Sequence, residues 1–146
     1  MRLEEVDRLK HLMQAHLPTY YADIVNASQD TFAQPIFLVE MPGYHQGRMC
    51  LIGDAGAVAQ PFTGSGVFKG ANNAIDLAAA LRAHRDVDVA LQEWDKKETT
   101  TGWRLIVLGQ QMEQAFIWSA PDFSQMDAET TNAWFKNAVT FPEEFT

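Results

Sequence analysis

The stretch from Arg48 to Leu81, RMCLIGDAGAVAQPFTGSGVFKGANNAIDLAAAL, restricts the possible folds of this chain more than any other. Met49-Cys50-Leu51-Ile52 is a short apolar run and reads as a buried strand. Gly53-Asp54 ends it, and a loop punctuated by glycine and proline continues to about Gly66. Val67 to Leu81 is rich in alanine and reads as a helix. A strand, a carboxylate at its C-terminal edge, a flexible loop and a helix N-terminus together make a recurrent ligand-binding arrangement of α/β folds.

Each part also has an ordinary structural explanation. Asp54 can accept hydrogen bonds from a ligand hydroxyl, or it can cap the turn after the strand. Gly53 allows a ligand to approach closely. At Gly64-Ser65-Gly66 the unpaired N–H groups and the positive end of the helix dipole favour an electron-rich ligand group. A plain loop with Ser65 as N-cap would use the same residues. The glycines are not a P-loop, because Lys69 is followed by Gly70 rather than by Ser or Thr. Nor are they the pyrophosphate turn of a dinucleotide fold, since about ten residues separate the strand end from Gly64.

The flanks read as helices. Leu3, Val6, Leu9, Leu12, Met13 and Leu17 fall at helical spacing and predict a helix from about residue 3 to 17, ended by Pro18. A short helical turn over Tyr20–Ala27 and a turn at Ser28-Gln29-Asp30 follow. Thr31 to Met41 is rich in β-formers, and Pro35 makes it an edge strand or a strand beginning at Ile36. This strand and the Met49 strand are either a hairpin or members of two sheets. Asp86 or Asp88 can cap a long helix over about 87–118, with Thr99-Thr100-Thr101-Gly102 as its weak point. Asp127 can cap a last helix over Ala128–Ala138, with Trp134 and Ala138 facing inward. The tail Phe141 to Thr146 is expected to be loosely held. The fold expected of the chain by itself is mainly α with a small two-stranded β element, in a single domain over 1–146.

The chain has 146 residues, 47% of them apolar, and a net charge of −8. That charge argues against nucleic-acid binding and against an anionic membrane surface. Cys50 is the one cysteine; it cannot form an internal disulfide, and inside an apolar run it reads as inert. The N-terminus is charged from its second residue, unlike a secretory signal, and no window reaches the roughly 18 apolar residues of a membrane span. A cytoplasmic location is expected. His11, His16, His45 and His84 lack metal-ligand spacing, so no metal is expected. Trp94, Trp103, Trp118 and Trp134 read as packing or partner-facing residues, and Lys96-Lys97 as a solvated face.

Taken jointly, the spacings are more specific. Gly53-Asp54-Ala55, Pro61, Gly64, Gly66, Gly70, Ala74, Leu77-Ala78 and Leu81 resemble the second flavin-binding motif of the FAD-dependent monooxygenases. This is the aromatic-ring hydroxylase family that includes para-hydroxybenzoate hydroxylase. The lead-in Gly47-Arg48-Met49-Cys50-Leu51-Ile52 is similar to that family's, as are Gln34-Pro35-Ile36 and Trp94-Asp95. The likeness covers about residues 30 to 100. The wording AVAQPFTGSGVFKGA is nearest the dihydroxypyridine hydroxylase branch.

The resemblance implies part of an α/β FAD-binding domain, with a flavin motif at 48–81 and trailing helices at 87–138. It implies that Gly53 belongs to the cofactor-binding residues and that Asp54 hydrogen-bonds the ribityl chain of FAD. Pro61 would lie beside the reactive face of the flavin ring. Gly64, Ser65, Gly66 and Val67 would offer backbone N–H groups to its pyrimidine end. Enzymes of this family let reduced flavin react with oxygen and hydroxylate an electron-rich aromatic, so a small aromatic substrate is implied. No catalytic side chain is assigned.

Ala57 stands where the family often has His, and Asn73 where it often has Asp. The family's G-x-G-x-x-G turn for the ADP half of FAD is missing from this sequence. An N-terminal half supplying that turn is therefore the expected partner, and the chain alone is not expected to hold FAD tightly. A second function expected of such a chain is a non-catalytic, self-associating helical domain derived from a monooxygenase. A third is a small-molecule binder using the Asp54/Gly64–Gly66 region for another ligand.

Overall fold

A computed structural model describes residues 3–32 and 34–141. The chain divides into two compact units, residues 1–35 and 36–146. The first holds α1 (Leu3–His16) and α2 (Thr19–Ala27). Val6, Leu9 and Met13 form a half-buried stripe on α1, and Ala22 of α2 is buried. Lys10 Nζ donates to the Asn26 carbonyl at 3.1 Å, tying the two helices. Pro18 separates them as its chemistry requires: it cannot extend α1, but its φ of −53° suits the start of α2, where its carbonyl accepts from Tyr21 N–H at 2.9 Å.

The second unit contains β1 (Val39–Glu40), β2 (His45–Gln46), β3 (Met49–Cys50), β4 (Ala57–Val58), α3 (Gly66–Ala83), α4 (Val87–Glu113) and α5 (Ala128–Val139). The strands form two antiparallel pairs. In one, Val39 faces Val58 and Glu40 faces Ala57. In the other, His45 faces Cys50 and Gln46 faces Met49, around a turn in which Gly47 has φ +58°. The two strands expected from sequence therefore lie in different sheets. The mainly α character holds, with two small β pairs rather than one.

Both strands are shorter than their β-forming sequences. Of Thr31–Met41 only Val39–Glu40 pairs, and of Met49–Ile52 only Met49–Cys50. The apolar run is also not a buried strand: Met49 is 73% exposed and Ile52 is exposed. Each strand has one neighbour, so pairing and cover are supplied on one side only. Cys50 is half-buried, and burial, then the nearby Asp95 carboxylate, push its thiol up, which keeps it unreactive at neutral pH.

The core gathers Tyr44, Ala57, Trp94 and Ile106, with Leu51, Leu77 and Ala80 packed around them. Helix α4 passes through Thr99–Gly102 without a break. The Thr99, Thr100 and Thr101 hydroxyls donate to the carbonyls of Asp95, Lys96 and Lys97, so none is left unpaired. Gly102 supplies room, because a Cβ there would overlap the Tyr44 hydroxyl. Asp86 starts α4 by accepting from Asp88 N–H at 2.8 Å, and a π-helical turn, Gln114–Trp118, ends it. Asp127 and Thr130 form a capping box at α5. Ala138 is buried and Trp134 half-buried, edge-on to Phe116 and Phe123. Trp118 is exposed. The tail beyond Phe141 lies outside the described residues.

Candidate functional site

A cleft of about 330 Å³ opens between the β4–α3 connection and α4. Six of the seven residues singled out from sequence line it: Asp54, Pro61, Gly64, Ser65, Gly66 and Val67. Gly53 does not. It has φ +60°, the left-handed conformation that favours glycine, while a Cβ there would meet Gly70 Cα only at an ordinary 3.7 Å. Gly53–Ala55 form one 3₁₀ turn and Pro61–Thr63 another. Gly64 closes the second turn at φ +62°, donating its N–H to the Pro61 carbonyl at 3.0 Å.

Ser65 does not cap α3 with its side chain. Its Oγ instead donates to the Thr63 carbonyl at 3.1 Å, and its N–H donates to Thr63 Oγ1 at 3.2 Å. The first helical bond runs from Lys69 N–H to the Ser65 carbonyl at 2.8 Å. The amides of Gly66, Val67 and Phe68 therefore have no partner within the helix. Of the four amides Gly64–Val67, the first two are used inside the loop, and those of Gly66 and Val67 have no partner there or in the helix.

Asp54 is an open carboxylate with a buried counterion. Lys69 Nζ lies 3.4 Å from Asp54 Oδ1, with the Lys69 side chain 3% exposed and that of Asp54 78% exposed. Lys69 also donates to the Ala57 carbonyl. It sits one turn into α3, where side chains lean back toward the helix N-terminus and so into the 54–57 turn. Sequence reasoning used Lys69 only to exclude a P-loop. The available signal was its place on the inner stripe 69, 73, 77 and 80, where a lysine needs a reason to be.

The second supporting residue is Asn73, which the sequence marked only as a departure from the family's Asp. Its Oδ1 accepts the Gly53 N–H at 2.8 Å, and its Nδ2 donates to Glu98 Oε2 on α4. Trp94 Nε1 donates to the Asn73 carbonyl at 2.9 Å. A third is Gln60, buried, with Nε2 donating to Glu113 Oε2 at 2.6 Å and its amide packed on Gly109. Tyr44 fills the space between Gly56 and Gly102 and donates its backbone N–H to Asp95 Oδ1. Burial first, then the carboxylates of Glu98, Glu40 and Asp95, push the Tyr44 phenol up to about 12, so it stays neutral. These residues fix the turns on α4 and leave the cleft's own groups free to act. Among the described residues no group of three His, Cys, Asp or Glu side chains could hold a metal.

No protein-family model matches the chain. Over 79 residues it is 30% identical to the 2-heptyl-3-hydroxy-4(1H)-quinolone synthase of Mycobacteroides abscessus, covering 49% of this chain and 21% of that protein. Its fold is similar to that in the crystal structure of tetracycline destructase Tet(51), with a TM-score of 0.59 at 20% identity, over 98% of this chain and 39% of that one. The chain thus spans about a fifth of the length of the curated relative and about two fifths of the solved structure.

Proposed function

We propose that the cleft is the flavin-facing part of an FAD-dependent monooxygenase that hydroxylates a small aromatic or heteroaromatic substrate in the cytoplasm. An N-terminal nucleotide-binding half completes the cofactor site. The observation that carries this reading is the convergence of Asp54, Pro61 and the open Gly66 and Val67 amides on one cleft. The relative's name, that of an enzyme making a 3-hydroxylated quinolone, supports the heteroaromatic class, in line with the likeness to the dihydroxypyridine hydroxylase branch.

The residues fit the ring and ribityl portion of FAD. The cleft lies within the range of about 300–1,000 Å³ usual for small ligands. When bound, the flavin supplies the oxygen-activating redox chemistry. The chain's own groups bind and orient. The amides of Gly66 and Val67, with the α3 dipole behind them, stabilise negative charge at the edge they meet. Asp54 accepts from ligand hydroxyls, and Lys69, 3.4 Å from its Oδ1, directs that carboxylate. Pro61 gives a rigid wall without an N–H donor. No helix is long and apolar enough to cross a membrane among the described residues.

The exposed Met49, Ile52, Val67 and Phe68 support a covering partner. Coexpression with a G-x-G-x-x-G-bearing half is expected to give yellow protein with flavin absorbance, and Asp54→Ala should weaken flavin retention. Colourless protein with every such half would sink the proposal. The same exposed side chains favour a second reading, a non-catalytic domain that self-associates through them. Light scattering decides it: a monomer at high concentration removes that reading.

A further inference from the structure

The most enclosed polar cluster in the second unit lies behind the cleft. Glu98 and Asn73 are each 1% exposed. Glu98 Oε2 accepts from Asn73 Nδ2, while Oε1 is sealed from solvent with no donor facing it. Asn73 passes the contact on, because its Oδ1 receives the Gly53 N–H at 2.8 Å. Gly53 opens the turn that carries Asp54. The chain of contacts therefore runs from α4 through α3 to the lip of the cleft.

The surroundings of Glu98 decide its form. From α3 it faces the Asp76 carboxylate, from α4 Lys97, and from the segment before β2 the neutral Tyr44 phenol. Lys97 Nζ is committed to Asp76 Oδ2 at 2.7 Å. An ionised Glu98 would thus have one amide donor and a carboxylate opposite it, in a sealed interior. The neutral acid can donate to Asp76 and still accept from Asn73. Burial, the largest influence, pushes the Glu98 carboxyl up; the Asn73 amide draws it down, Asp76 raises it again, and the Lys97 contact holds Asp76 down. The departure from the flavin motif at position 73 follows. An aspartate there would set another carboxylate against Glu98 and offer it no N–H.

We propose that Glu98 is a positioning residue of the cleft: through Asn73 it fixes the Gly53 amide and with it the turn that presents Asp54. The functional part of this rests on the cleft being a ligand site, although the clamp itself does not require that the ligand be flavin.

The test is NMR on the full 15N-labelled chain, following the Gly53 amide between about pH 5 and 8. In the wild type its shift is expected to titrate with an inflection above the ordinary glutamate range. Glu98→Gln copies the neutral acid, so protection should persist and the inflection vanish. Glu98→Ala should lower Gly53 protection by about tenfold or more at equal pH. The same Gly53 titration in Glu98→Gln as in the wild type would overturn the proposal. So would unchanged protection in a folded Glu98→Ala protein, and if that variant fails to fold the Glu98→Gln comparison decides alone. An FAD titration of each variant with an N-terminal half separates the two readings. No flavin binding with the Gly53 response intact removes the cofactor assignment and keeps the clamp. Flavin binding without that response does the reverse.

Discussion

Replacing Gly102 with alanine tests the packing that holds the cleft turns against α4. In an unconstrained helix interior this change is favourable by about 1 kcal/mol. Here the new Cβ would overlap the Tyr44 hydroxyl and lie 3.2 Å from Tyr44 Cζ and 3.1 Å from Ala57 Cβ. Tyr44 has no room to withdraw. Its ring already packs on Gly56, where a Cβ would fall 2.8 Å from Cε2 and Cζ, and it stands edge-on to Trp94 at 6.3 Å between centroids. Overpacking of this kind costs about 1–3 kcal/mol, and the upper end applies, so a net loss of about 1–2 kcal/mol is expected after the helix gain. The Tyr44 hydroxyl is buried without a hydrogen-bond partner, so Tyr44→Phe by itself should change stability by less than about 1 kcal/mol. In that background the overlap is gone and only the contacts at 3.1 and 3.2 Å remain. Gly102→Ala should then be neutral or stabilising, giving a coupling of about 2 kcal/mol. Urea unfolding followed by tryptophan fluorescence measures the cycle, since Trp94 reports on the same site. Equal costs in the two backgrounds, within about 0.5 kcal/mol, would refute the reasoning.

Asn73→Asp should destabilise the fold by about 2–4 kcal/mol, because it removes the donor to Glu98 and places a third acid beside Asp76; urea midpoints measure it, and Glu98→Gln should recover part of the loss. The pH dependence follows from the raised Glu98 carboxyl. A folded-state value above the unfolded one means the folded chain binds the extra proton, so this contribution is complete below about pH 4.3 and is lost as pH rises through the folded value. Unfolding midpoints across that window should slope downward for the wild type and flatten for Glu98→Gln. Lys69→Met leaves the Ala57 carbonyl without its side-chain donor and Asp54 without its cation. A loss of about 1–3 kcal/mol in denaturant unfolding is expected, with weaker flavin retention in the coexpressed complex.

The helices were legible because their signals are local. Pro18, the Asp86 cap and the Asp127 capping box lie within a few residues of the ends they set. The strands were overestimated because pairing depends on a neighbour, and Val39–Glu40 and Met49–Cys50 each have one. The cleft lining was legible because Asp54, Pro61 and Gly64–Val67 are close in sequence and their chemistry is carried by backbone and one carboxylate. Its support was not. Lys69, Asn73 and Gln60 acquire roles only when α3 and α4 pack together. What could have pointed to them is polarity at interior positions: Lys69 and Asn73 share the inner face with Leu77 and Ala80. The Thr99–Gly102 segment shows the converse. Local propensity marks it as weak, yet its hydroxyls are satisfied within the helix and its glycine admits Tyr44.

The charge of the chain makes the clamp matter for the chemistry. A protein with net charge −8 is a poor host for an electron-rich ligand unless the local field differs from the global one. Along the α3–α4 seam two acids are matched by cations, Asp54 by Lys69 at 3.4 Å and Asp76 by Lys97 at 2.7 Å. Exposed charges elsewhere are screened within about 8 Å at physiological salt. What the cleft then presents is the unpaired amide end of α3, a partial positive charge of roughly half a unit. Were Glu98 ionised, a full negative charge would lie one residue's hydrogen bonds behind Gly53, with little screening, and would offset that end. The burial and the Asp76 carboxylate that push the Glu98 carboxyl up act against such a charge, and so favour the α3 terminus as the source of the local field.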